Sequence, residues 1–168
     1  DGRNNAEESP SGLTSNKRVS NFSWSPNQNM MAFTNTVNTG VELLILDLEK
    51  KLAKKITDAN LNANTGNPFF WFKDSNALLV KIISKDKKPL IDTKTAIPSG
   101  PTVSVSEQGV KAQNRTYQDL LKNKSDEHNL EQLLLSELHK VSIDGNQTLW
   151  KESDMYDRLS FSPDGTYI

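Results

Sequence analysis

Short apolar blocks closed by polar turns, rather than long amphipathic stretches, make up most of this chain. GVELLILDL, from Gly40 to Leu48, is apolar at nearly every position, the pattern of a strand covered on both faces. KLAKKIT follows it as a shorter, more polar strand. The block pattern returns at Phe69–Phe72 and Ala77–Ile83, and resumes at ELHKVSIDGNQTLW, where Asp144-Gly145 marks another turn.

Three of the turns are versions of one another. WSPNQNMMAF from Trp24, WFKDSNALLV from Trp71 and FSPDGTYI from Phe161 align without gaps. In each, an aromatic residue is followed three positions later by Asn27, Asp74 or Asp164, and an apolar run begins shortly after. The pattern predicts a strand, a turn and a second strand. Pro26 and Pro163 suit the first central position of a type I turn, because the ring presets φ, and the Asx residue suits the second. Gly165 then supplies the left-handed residue of a bulged hairpin. The middle copy carries Lys73 in place of proline and matches less closely.

Four antiparallel strands repeating roughly every 40–50 residues, with an aromatic on the first strand, describe the blades of a β-propeller. An antiparallel sandwich that reuses one hairpin is the competing reading. The expected organisation is an N-terminal segment over residues 1–18, a blade over 19–57, a second blade over 58–151, and the start of a third over 152–168, where the chain reads as cut from a larger protein. The interval from Trp71 to Phe161 is nearly twice that from Trp24 to Trp71, so the second blade must hold an insertion, at about residues 85–129. On this reading Trp24, Trp71 and Phe161 pack, while Asn27, Asp74, Asp164 and Gly165 shape turns.

Two segments break the pattern. Residues 1–17 contain only Ala6 and Leu13 as apolar residues and are expected to be a mobile loop. The insertion opens with Lys85, Lys87 and Lys88 and reaches the bend Pro98-Ser99-Gly100-Pro101. Thr116 with Asp119 resembles a capping box and predicts a short helix over residues 117–122. Leu130, Leu133, Leu134 and Leu138 form a helical stripe running into the next strand.

Composition removes several function classes. A formal net charge of −1 offers no long-range attraction to nucleic acid or to an anionic membrane surface. The longest apolar stretches fall far short of the roughly 20 residues that span a bilayer. With zero cysteines there is no disulfide, thiol nucleophile or Cys-ligated zinc. No G-x-S-x-G elbow or glycine-rich phosphate loop occurs, and neither His128 nor His139 has a second histidine at metal-binding spacing. His128, beside Asp126 and Glu127, reads as a surface charge cluster, and His139 as a rim residue. The expectation is therefore no metal, no cofactor and no catalytic set within these residues. The compartment stays open; for a bacterial protein an exported location is favoured over a cytoplasmic one.

The insertion carries a resemblance. Pro98-Ser99-Gly100-Pro101 and Arg115-Thr116-Tyr117-Gln118-Asp119-Leu120-Leu121, with the hairpins FSWSPNQNMMAFT and FFWFKDSNALLV upstream, are similar to the glutamyl endopeptidase branch of the prolyl oligopeptidase family of serine peptidases. The similarity covers roughly residues 19–168. HNLEQLLLSEL departs from it, standing where an aromatic-rich stretch is expected. The resemblance implies an N-terminal β-propeller that gates or positions peptide substrates for a C-terminal α/β-hydrolase domain outside this chain, which would hold the Ser, Asp and His triad. The fragment itself would then bind without cleaving. Arg115, Lys122 and Lys124 are the cations available to meet an acidic peptide side chain. A TolB-like propeller that only binds protein partners is the alternative. Exposed strand edges would favour self-association of the fragment.

Overall fold

The structure, a computed structural model, describes residues 10–13, 18–92, 121 and 123–168. It is mainly β: two four-stranded antiparallel sheets and one helix. The first sheet has the order β1 (Val19–Trp24), β2 (Met30–Val37), β3 (Gly40–Asp47) and β4 (Leu52–Lys55). The second has the order β5 (Phe69–Trp71), β6 (Ala77–Ile83), β7 (Leu135–Ser142) and β8 (Gln147–Met155). Sequential neighbours pair throughout, so each sheet is a simple meander. The β2–β3 turn is tight, with Val37 opposite Gly40. A Cβ at Gly40 would run into the Ala59 carbonyl.

Alternation along the strands sorts the apolar residues onto faces. Ala32, Leu43 and Ile45 of the first sheet meet Phe69, Trp71, Leu78, Val80, Ile82 and Val141 of the second in one buried cluster. Leu43, Leu78, Val80 and Val141 are wholly shielded from solvent. Truncating a buried leucine in such a core costs about 2–5 kcal/mol. The opposite face of the first sheet carries a smaller cluster of Phe33, Leu44 and Ala53, with Leu46 and Leu13 against it.

The three related hairpins share one hydrogen-bond scheme. Ser25 N donates to Met30 O at 2.9 Å and Gln28 N to Ser25 O at 2.8 Å. Phe72 N donates to Ala77 O and Ser75 N to Phe72 O, both at 3.0 Å; Ser162 N donates to Tyr167 O and Gly165 N to Ser162 O, both at 2.8 Å. An Asx side chain closes each turn: Asn27 Oδ1 accepts from Asn29 N, Asp74 Oδ1 from Asn76 N, and Asp164 Oδ1 from Thr166 N. The residue after it is left-handed every time, with φ of 62° at Gln28, 60° at Ser75 and 78° at Gly165. Proline is thus not required: the copy with Lys73 adopts the same turn, because the Asx bond and the backbone bonds define it.

Part of the polar N-terminal segment is tied to the first sheet. Ser11 forms a parallel bridge with Leu52, with Ser11 N donating to Lys51 O at 3.1 Å and Ala53 N to Ser11 O at 2.8 Å. The short edge strand β4 offers unpaired backbone groups, and residues 10–13 use them.

By contact density the chain divides into two compact units, Asp1–Lys87 with Leu134–Ile168, and Lys88–Leu133. Within the second, helix α1 (Lys124–Leu134) is capped by Asn123, whose Oδ1 accepts from Ser125 N at 2.9 Å and Asp126 N at 3.0 Å. Asp126 and Glu127 place negative charge in its first turn, which favours the helix dipole. Asn129 bonds both backbone groups of Ile91, and Gln132 Oε1 accepts from Lys88 N at 2.7 Å. His128 is more than a surface charge: its Nε2 lies 3.1 Å from Pro89 O. The leucine stripe divides between elements, since Leu130, Leu133 and Leu134 are helical while Leu138 is buried in β7. The bend at 98–101 lies outside the described residues, as does the helix expected over 117–122 apart from Leu121.

Candidate functional site

Among the described residues, a cleft of about 240 Å³ lies between the first strands of the two sheets. Asn21, Phe22 and Ser23 line it from β1, Asn67 to Trp71 from β5 and the residues leading into it, and Phe161 from the third hairpin. A bulge shapes one wall. The β1–β2 register shifts between Ser20 and Ser23, and Asn21 sits at φ 52°. Bulges re-aim the side chains beside them. Here Asn21 Nδ2 donates to Thr34 Oγ1 at 3.1 Å, and Phe22 stacks on Phe33 at 5.8 Å between ring centroids while remaining 58% exposed.

The residues named from the repeat occupy distinct surroundings. Trp71 is buried between the sheets and donates its indole N–H to Ser23 O at 3.1 Å. Phe161 is half-buried against Phe72, 4.9 Å between centroids, and Phe72 also meets Trp150 and the ammonium of Lys140. Trp24 is 57% exposed. The turn tips also stack: Asn27 N donates to Ser75 Oγ at 3.1 Å, and Gly165 faces the Lys73 side chain. Asp164 accepts from the Ser162 hydroxyl and from the Thr166 amide and hydroxyl, which holds its carboxyl down at about 2.

Two polar groups inside the β unit were not singled out from the sequence. Lys81, on β6, is 1% exposed; its ammonium donates to Thr65 O and, at 3.4 Å, to Tyr156 O. Burial pushes its pKa down, and the nearby Asp157 charge opposes that. Asp157 in turn accepts from the Thr65 hydroxyl at 2.7 Å, so the ammonium fastens the two segments that link successive repeats. The lone lysine in ALLVKII was the available signal. On β7, His139 Nε2 is 2.9 Å from Glu137 Oε2, and Lys85 Nζ is 3.7 Å from Glu137 Oε1. His139 therefore pairs inward with a buried carboxylate, which the alternation at Leu138-His139 did not reveal.

Of the cations proposed to meet an acidic side chain, Lys124 is exposed at the start of α1, and Arg115 and Lys122 lie outside the described residues. Among the described residues no cluster of three or more His, Cys, Asp or Glu side chains could hold a metal, and no helix is long and apolar enough to cross a membrane. The cleft offers aromatic surface, two carboxamides and backbone groups, which is equipment for binding.

No family model matches the chain. Two curated chloroplast proteins are similar to all of it. "Probable glutamyl endopeptidase, chloroplastic" of Oryza sativa subsp. japonica is 29% identical over 178 residues, taking in 100% of this chain and 19% of that protein. The protein of the same description from Arabidopsis thaliana is 27% identical over 176 residues, taking in 100% of this chain and 18% of that protein. The chain thus spans about a fifth of the length of these curated relatives. Among solved structures, the Pyrococcus horikoshii acylaminoacyl peptidase aligns with 16% identity and a TM-score of 0.39, covering 79% of this chain and 18% of that one. The similarity first read from the paired hairpins and the Pro98–Pro101 bend therefore runs along the entire chain, and it is to the glutamyl endopeptidase branch of the prolyl oligopeptidase family.

Proposed function

We propose that the chain is part of the propeller of a serine peptidase resembling glutamyl endopeptidases, and that it gates or positions peptide substrates for an α/β-hydrolase domain elsewhere in the same protein. The observation that carries this reading is the full-length similarity to glutamyl endopeptidases five times as long. The repeat supports the propeller. Two four-stranded meanders stack through Trp71 on Ser23, and a third hairpin of identical bonding pattern follows on Phe72. The two sheets are then consecutive blades, Phe161 opens the next, and residues 88–133 are an insertion between the second and third strands of a blade. Arg115, Lys122 and Lys124 belong to that insertion and supply positive charge for an acidic substrate side chain.

The coding sequence beyond Ile168 tests the assignment directly. A nucleophile elbow followed by Asp and His supports it, whereas further blades with no hydrolase domain would make this a protein-binding propeller. The gating role is tested in the whole protein by Arg115→Ala and Lys124→Glu. The expected outcome is a lower kcat/KM for peptides with an acidic residue, with little change for neutral ones. Equal selectivity in variant and parent would remove the cations from the proposal.

A further inference from the structure

We propose that the cleft between β1 and β5 binds an extended peptide, which joins the second sheet as an added strand on the free edge of β5. The inference rests on the peptidase reading only for the source of the peptide; the pairing itself is argued from the hydrogen-bond pattern.

The ladder of β5 leaves one set of backbone groups open. Phe72 N donates to Ala77 O at 3.0 Å and Lys81 N to Pro68 O at 2.9 Å. Phe70 stands opposite Leu79 in the same register. Antiparallel pairs alternate between bonded and non-bonded, so residues 68, 70 and 72 are the ones whose backbone groups turn toward β6. Phe69 and Trp71 therefore turn theirs to the edge of the sheet, where β5 has no neighbouring strand. Those groups have no partner among the described residues, although Phe69 and Trp71 are only 4% and 8% exposed. Backbone donors and acceptors held in so dry a place cost free energy unless something meets them. They recur two residues apart, at about 7 Å, the spacing at which an extended chain presents its own groups.

The cleft suits a peptide over other occupants. None of its lining residues is charged, so it cannot neutralise an ion, and its polar side chains, Asn21, Ser23 and Asn67, match a neutral main chain. Phe22, Phe70 and Phe161 add apolar contact. The first sheet already shows this mode of binding at its outer edge, where Ser11 N donates to Lys51 O and Ser11 O accepts from Ala53 N. Both cleft walls are opening strands of complete four-stranded sheets, and Phe161 brings the next repeat to the same place. In a propeller, strands that meet in this way surround the central channel, so the edge of β5 stays open when further blades are present. The site thus holds substrate by its main chain and leaves selection for acidic residues to other groups.

The probe is a blocked peptide of about seven residues, threonine and alanine alternating around a central glutamate, long enough to reach both Phe69 and Trp71. One further version is N-methylated on alternate amides and another on every amide. Binding to the 168-residue chain is followed by amide exchange and NMR shifts. The unmethylated peptide should protect the amides of Phe69 and Trp71 and leave that of Phe70, already bonded to β6, unchanged. Alternate methylation spares one edge of the peptide and should preserve affinity. Full methylation should weaken binding at least about tenfold, since two hydrogen bonds are lost. Protection of Phe70 equal to that of its neighbours, affinity lost on alternate methylation or kept on full methylation, or no binding at about millimolar peptide would each overturn the inference. Hydrolysis of the same peptide by the whole protein is scored separately. Hydrolysis without the methylation pattern removes this inference and leaves the peptidase reading standing; the pattern without hydrolysis does the reverse.

Discussion

Lys81 offers the sharpest test of how the β unit is held together. Its ammonium is almost wholly buried, with no carboxylate in direct contact, and donates to two carbonyls from different connecting segments, Thr65 O and Tyr156 O. Lys81→Ala removes both donors and leaves a cavity in place of a long side chain. Two carbonyls stranded at about 1–3 kcal/mol each, with a cavity term on top, set the scale, reduced by the desolvation cost that the charge no longer bears. The expected loss is about 3–5 kcal/mol. Lys81→Met fills the space but strands the same two carbonyls, so it should cost less than Lys81→Ala only by the cavity term. Urea denaturation followed by tryptophan fluorescence measures both. The pH dependence has a definite sign. Burial lowers the pKa of Lys81 in the fold below its ordinary 10.5, so between the lowered value and 10.5 the unfolded chain holds a proton that the folded chain has released. Stability contributed at this site therefore rises with pH across that window. The difference between the parent and Lys81→Met should be flat at neutral pH and grow in favour of the parent as 10.5 is approached. A flat difference throughout, or a loss under about 1 kcal/mol for Lys81→Ala, would refute a buried, charged clamp.

Three further outcomes follow from the geometry. Trp71→Phe retains most of the buried ring but removes the donor to Ser23 O, so it should cost about 1–3 kcal/mol in equilibrium unfolding. Gln28→Gly relieves a left-handed backbone in a non-glycine residue and should be neutral or stabilising by up to about 1 kcal/mol. Ser75→Gly gives the same relief but loses the acceptor for Asn27 N, so it should be the less stable of the two in thermal melts. Asp164 has its pKa depressed by the Ser162 and Thr166 bonds, so its contribution is present above the unfolded value of 3.8 and lost as pH falls toward about 2. Protection of the Tyr167 amide, whose N–H donates to Ser162 Oγ, taken relative to the intrinsic exchange rate at each pH, should fall over that range in the parent and stay constant in Asp164→Asn.

The hairpins were readable from the chain because everything that makes them is local. An Asx side chain two residues before the amide it accepts from, and a left-handed residue between them, need no distant partner, and the three copies converge on one geometry despite Lys73 in place of proline. The same local logic located β2, β3 and β6 as apolar blocks, and the leucine stripe pointed to the helix that ends at Leu134. The pairing of Ser11 with Leu52 was not readable, because a polar segment carries no sign of which strand edge will accept its backbone. Nor was the bulge at Asn21, which arises from the register of β1 against β2.

What the sequence determined, then, is the repeating strand-turn-strand unit, the mainly β character and the similarity to glutamyl endopeptidases, all carried by residue identity at short spacing. The tertiary structure alone decided which aromatic of the repeat is buried. Trp71 is sealed between two sheets and Trp24 is open, although the two stand in equivalent hairpins. It also decided that Lys81 and Glu137 are interior groups, one fastened to carbonyls and the other to His139. Burial and partner choice depend on which sheet lies opposite, and that is a property of segments far apart in the chain.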